Sequence, residues 1–193
     1  ATRAAEAVIR NYEQAQQLLP LAGGVPQPIG DCRDHAVVLA LAYVTALVPD
    51  VRFVVVGEGE LRAELEEQAR ALRVEDKVTF AGFVHDVPAA LSALDVAVFP
   101  SLWEGTPLTA FEALAMGKPI VSTDADGLKD ILTDGYDSIV VPRRNSAALG
   151  EAITHLLQDS SRRATLGANA RITGARYDID LFVRKLERLY ALL

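Results

Sequence analysis

The stretch SLWEGTPLTAFEALAMGKP, residues 101–119, puts a glutamate, a glycine and a proline at what reads as the mouth of a helix. A second glutamate follows further in. Thr106 suits an N-cap, and Pro107 suits the first helical position, where a missing N–H is harmless. Gly117 suits the left-handed C′ position and Pro119 forbids continuation, so the pattern predicts a helix over roughly 107–116. The amides of Leu108 and Thr109 and the positive end of the helix dipole would favour an anion there. Gly105 would let backbone approach it closely. A carboxylate beside an anion is electrostatically odd unless it accepts hydrogen bonds from hydroxyls, and a sugar supplies those. Glu104 and Glu112 would then serve an anionic head group carrying polyols on both sides. The same residues also fit an ordinary capped helix, with Glu104 a solvated loop residue and Glu112 paired to a nearby cation.

The elements that must position these residues alternate in period. Short β-rich runs are VRFVVVG (51–57), KVTFAG (77–82), DVAVFP (95–100), PIVSTD (119–124) and SIVVP (138–142). Helical patterns lie between and after them, including DHAVVLALAYVTALV, the amphipathic ELRAELEEQARAL, SAALGEAITHLLQ and a final DLFVRKLERLYALL. Strand–helix alternation with short links predicts parallel strands covered on both faces. With right-handed crossovers, this is an α/β, Rossmann-like doubly wound parallel sheet. The first 32 residues differ: TRAAEAVIRNYEQAQQLL reads as helix and PLAGGVPQPIGDC as Pro/Gly-rich loop, setting 1–32 apart from a domain at 33–193.

The totals bound the rest. Of 193 residues, 50% are hydrophobic, enough for a real core, and a net charge of −7 argues against nucleic acid as a partner. The single cysteine, Cys32, rules out an internal disulfide and fits a reducing compartment. No apolar run reaches the ~18 residues of a spanning helix, and the start lacks a signal-peptide profile. The expected setting is cytoplasmic.

At residues 104–117, EGTPLTAFEALAMG, the sequence resembles the retaining glycosyltransferases of the GT-B fold, family 4. Their hallmark is Glu, seven residues, Glu, in the context E-G-x-P-x-x-x-x-E-A-x-A-x-G. The flanks FVVVGEGELRAELEEQARAL, KVTFAGFVHDVPAALSALDVAVFPS and GLKDILTDGYDSIVVPRRNSAALGEAI are similar to further segments of that family, in the same order. The last helix resembles one that packs back towards the other domain. Residues 33–193 thus look like the carboxyl-terminal, donor-binding half. The resemblance implies that Glu104 contacts the transferred sugar or its phosphate, as the catalytic residue. Glu112 would accept hydrogen bonds from the ribose. Backbone at Gly105, Thr106, Leu108 and Thr109 would hold the diphosphate, Phe83 and Val84 would read the base edge, and Gly57 and Gly59 would line the cleft. The donor would be a UDP- or GDP-sugar, a hexose would be transferred with retained configuration, and no cofactor or metal is required. Stabilising the departing diphosphate would carry the catalysis. An acceptor-binding amino-terminal domain is the implied partner, and through it a membrane surface. Without that domain the chain is not expected to turn over.

Two departures stand out. Asp31 follows Gly30 where the family has Arg, and Arg33 stands where it has Lys, with no strand evident just before them. Arg33 would be the remaining cation for the diphosphate, though Arg does not simply replace Lys. In GLKD, Lys129 replaces a usual Pro and Asp130 a usual Glu. The first of these departures, in PIGDC, supports the competing reading, a degenerate or engineered non-catalytic module of the same fold. Other signals read as decoys. DAD at 124–126 reads as a turn rather than a metal site. GEGE lacks the third glycine of a dinucleotide fingerprint. His35, His85 and His155 show no metal-ligand spacing. Trp103 reads as a ring-stacking residue or a half-buried anchor beside Pro100, and RRN at 143–145 as a solvated edge.

Overall fold

The computed structural model describes residues 6–10 and 36–192. In chain order these form β1 (Glu6–Arg10), α1 (Ala36–Leu47), β2 (Arg52–Val56), α2 (Arg62–Ala71), β3 (Val78–Gly82), α3 (Val87–Ser92) and β4 (Val96–Phe99). Then come α4 (Leu108–Ala115), β5 (Ile120–Thr123), α5 (Asp126–Lys129), β6 (Ser138–Val141), α6 (Ser146–Gln158), α7 (Ser160–Gly174) and α8 (Ile179–Tyr190). The strands make one parallel sheet ordered β3-β2-β1-β4-β5-β6. The strand order reverses between β1 and β4, and in open α/β sheets the crevice at that reversal is where ligands bind.

Alternate residues of the inner strands supply two cores. Val96, Val98 and Val121 pack with Val37 and Leu41 of α1 and Leu149 and Ile153 of α6. Ala97, Phe99 and Ile120 pack with Leu91 of α3, Ala110 and Leu114 of α4, Leu128 of α5 and Ala170 of α7. All four residues of β4 and of β5 are buried, as parallel strands covered on both faces require. The edge strand β3 is less covered, with Thr79 and Ala81 exposed.

One sequence expectation is overturned. Residues 6–10, read as part of a helix outside the sheet domain, are the strand β1, with Glu6 opposite Arg52 and Ala7 opposite Val96. No helix forms there because a strand laddered on both sides satisfies its backbone groups through two neighbours, at about 0.5–1.5 kcal/mol net per hydrogen bond. Helix propensity offers only tenths of a kcal/mol per residue, roughly 0–0.7. The chain thus has a first strand, β1, well upstream of Gly30.

The helix α4 ends as expected. Gly117, at φ 66°, donates to Leu114 O at 2.9 Å, and Lys118 N donates to Ala113 O at 2.9 Å. These are the paired bonds of a Schellman motif. Its start differs. Pro107, not Thr106, caps the helix, and the helix runs 108–115 rather than 107–116. With φ −77° and ψ 79°, Pro107 makes an inverse γ-turn in which Leu108 N donates to Thr106 O at 2.9 Å.

Candidate functional site

Every described residue of the expected site but Glu112 leaves the carboxyl edge of a strand or opens the helix that follows it. Gly57 follows β2 at φ 129°, a conformation that suits glycine, and donates to Gly82 O at 2.8 Å. The Gly59 carbonyl accepts from Arg62 N at 3.3 Å and so leads into α2. Phe83 and Val84 follow β3. Val84 packs on the core, whereas Phe83 is 62% exposed with its ring edge-to-face with His85, centroids 4.8 Å apart. Glu104, Gly105 and Thr106 lie in the loop from β4 to α4. Glu104 is half-buried, and Gly105 and Thr106 are exposed.

At the helix mouth, Leu108 differs from expectation. Its amide is taken by Thr106 O, so it is not an open donor, and its side chain is 70% exposed. Thr109 is buried, and its amide makes no backbone hydrogen bond among the described residues, nor do those of Gly105 and Thr106. Three amides without a backbone partner among the described residues thus lie between the end of β4 and the first turn of α4. Glu112 lies one turn further along α4, half-buried, and its carboxylate has no ion-pair or hydrogen-bond partner among the described residues. No cation among the described residues pairs with it. Arg33, with Gly30, Asp31, Cys32 and His35, lies outside the described residues.

The loop bearing Glu104 is held from the far half of the sheet. Ser101 Oγ donates to Glu104 Oε1 at 2.6 Å, and Ser101 O accepts from Thr123 Oγ1 at the end of β5. Leu102 O accepts from Arg143 Nη1 at 2.8 Å, and Glu104 O accepts from Gly127 N at 3.1 Å. Sequence reasoning assigned no role to Ser101 or Thr123 and took Arg143 for a solvated edge. That last reading is corrected. The Arg143 guanidinium bonds Asp124 Oδ1 through Nε at 3.1 Å and lies 3.7 Å from Asp126. The acidic DAD opposite a cation at the end of β6 was the available signal. Among the described residues no cluster of His, Cys, Asp or Glu is arranged to hold a metal ion. Trp103 is 64% exposed rather than anchored, with its ring against Gly105. A groove of about 430 Å³ beside Gly117, Pro119 and α7 lies away from this edge, before β5 begins; its Arg163 and Arg171 are spent on backbone carbonyls.

A family model described as glycosyl transferases group 1 matches residues 35–173. The chain is 37% identical over 142 residues to the 2-deoxystreptamine N-acetyl-D-glucosaminyltransferase of Streptomyces fradiae, covering 72% of this chain and 34% of that protein. It is 30% identical over 154 residues to the alpha-D-kanosaminyltransferase of Streptomyces kanamyceticus, covering 78% and 40%. The chain thus spans less than half the length of these relatives. Among solved structures, Anabaena Alr3699/HepE in complex with UDP and glucose superposes with a TM-score of 0.82 at 23% identity, over 98% of this chain and 49% of that one. The C-terminal domain of LpcC, a glycosyl transferase group 1 family protein from Francisella tularensis, superposes at 0.72 with 22% identity, over 90% and 85%. At such identities the likeness is one of fold, the doubly wound half of a GT-B architecture.

Proposed function

The chain belongs to the glycosyl transferases of group 1, and from that premise we propose that it is the donor-binding part of a retaining family 4 enzyme. The enzyme would transfer a hexose from a nucleoside diphosphate sugar. The observation that carries this reading is the mouth of α4. Three open amides, Gly105, Thr106 and Thr109, stand beside the point where the strand order reverses, with Glu104 in the loop before them and Glu112 beyond. An anion is favoured at such a mouth, and open amides supply hydrogen bonds that strengthen as negative charge builds. The diphosphate is the group on which that charge builds as the glycosidic bond breaks. The transition state is oxocarbenium-like, and Glu104 stands by for the sugar hydroxyls or phosphate. Glu112, without an ion-pair or hydrogen-bond partner among the described residues, accepts from the ribose hydroxyls. The backbone at Phe83 and Val84 meets the base, and the Gly57–Gly59 turn borders it.

UDP is the first nucleotide to try, because the HepE neighbour was solved with it. The acceptor site and any membrane contact are assigned to the rest of a longer protein, and the 193 residues alone are expected to bind donor without turnover. Titrating UDP, GDP and their sugars into the chain by calorimetry tests the reading. Binding that disappears in Glu112→Ala supports it. Absence of binding at millimolar ligand rejects it and favours a non-catalytic module.

A further inference from the structure

The loop from β4 to α4 is short of its own hydrogen bonds. The carbonyls of Ser101, Leu102 and Glu104 are held instead by Thr123 Oγ1, Arg143 Nη1 and Gly127 N, all supplied from β5, α5 and the end of β6. Arg143 is the one long-reaching group among the three. Its backbone N–H and its Nε both donate to Asp124 Oδ1, at 2.8 and 3.1 Å, and its Nη2 faces Asp126 at 3.7 Å. The side chain, 34% exposed, is thereby aimed at Leu102 O. Arg144, at φ 60°, turns the chain sharply away before Asn145 caps α6. This leaves Arg143 as the last residue running out from β6 towards the loop.

Resting on the donor-binding reading above, we propose that Arg143 is a positioning residue of the donor site, acting through the Leu102 carbonyl on the loop that bears Glu104. It is not a phosphate ligand in this arrangement, because two carboxylates and a carbonyl already face its guanidinium. A planar fork with fixed donor directions suits this task, and a lysine ammonium does not reproduce it. The loop holds the diphosphate and sugar end of the donor, whereas Glu112 and the residues after β3 hold the nucleoside end. Loosening the loop therefore weakens a nucleotide sugar more than a nucleoside monophosphate.

The test uses the chain and its Arg143→Met and Arg143→Lys variants, with circular dichroism and thermal melting to establish folding. UDP-glucose and GDP-mannose are titrated alongside UMP and GMP. Arg143→Met is expected to weaken the nucleotide sugar by about tenfold and the monophosphate by less than about twofold, with Arg143→Lys recovering part of the loss. Equal losses for both ligands, or none for either, overturn the proposal. Hydrogen exchange gives an independent reading, serving also if the methionine variant does not fold or if no ligand binds the parent chain. In Arg143→Lys the amides of residues 102–106 should exchange faster while those of α6 are unchanged. Unchanged loop exchange overturns the proposal. If the parent chain binds no nucleotide sugar, yet Arg143→Lys shows the faster loop exchange, the donor-binding reading is overturned and the loop clamp stands.

Discussion

Ser101 Oγ donates a 2.6 Å hydrogen bond to Oε1 of Glu104. The serine is buried and its own carbonyl is bonded by Thr123. The hydroxyl is thus a fixed point from which one oxygen of a half-buried carboxylate is oriented, leaving the other for a ligand. Ser101→Ala removes that bond without removing the charge. It should weaken nucleotide-sugar binding by roughly fivefold, the equivalent of about one net hydrogen bond. Calorimetric affinities equal to those of the parent chain would mean that Glu104 needs no such guide.

Gly105 is exposed, and a Cβ placed on it meets only the Trp103 ring, at an ordinary 3.6 Å. Folding therefore does not require glycine here, and Gly105→Val should change unfolding free energy by no more than about 0.5 kcal/mol. Donor binding should be lost, because a branched side chain blocks approach to the backbone. A crystal of the variant with nucleotide seated in the cleft would refute this account of the glycine.

Gly127 is the opposite case. A Cβ there would lie 2.5 Å from Glu104 O and closer still to Gly105 O. Neither backbone carbonyl can yield without moving the loop. Gly127→Ala should lower stability by about 1–3 kcal/mol, the usual range for overpacking, and lower donor affinity with it. Urea unfolding followed by fluorescence of the single tryptophan, Trp103, reports the first effect, and a midpoint like that of the parent chain would count against the tight contact.

Lys118 Nζ donates to Ser92 O and Leu94 O, both at 2.9 Å, tying the end of α4 to that of α3. Burial pushes this ammonium below the ordinary lysine value of 10.5, with the nearby Asp95 carboxylate opposing the shift. The folded chain therefore binds fewer protons than the unfolded chain in the alkaline window just below 10.5. In that window the lysine's contribution to stability rises with pH, and below it the penalty of keeping the charge is present in full. Lys118→Arg cannot titrate there. Denaturation at several alkaline pH values should give a parent-minus-variant difference that grows with pH. A flat difference would mean that burial does not perturb the amine.

Much of this was legible before any coordinates. The paired acids Glu104 and Glu112 and the Gly117–Pro119 stop lie within one short segment, and each β-rich or helical run is itself short. Such features act over a few residues, through backbone preference and side-chain period, so one sequence carries them whole. The end of α4 matches for that reason. Its start does not, because the turn at Pro107 spends the Leu108 amide on Thr106, a choice between two short-range bonds that residue types leave open.

What the sequence by itself determined is the family, the parallel α/β class and the segment that carries the candidate chemistry. Tertiary structure decided that residues 6–10 are the strand between β2 and β4, that Gly127 presses on the Glu104 loop, and that Arg143 reaches Leu102 across 41 positions of chain. Contacts of that reach depend on which strands become neighbours, and neighbours are chosen by the burial and backbone pairing of the whole sheet. No local run of residues records that choice.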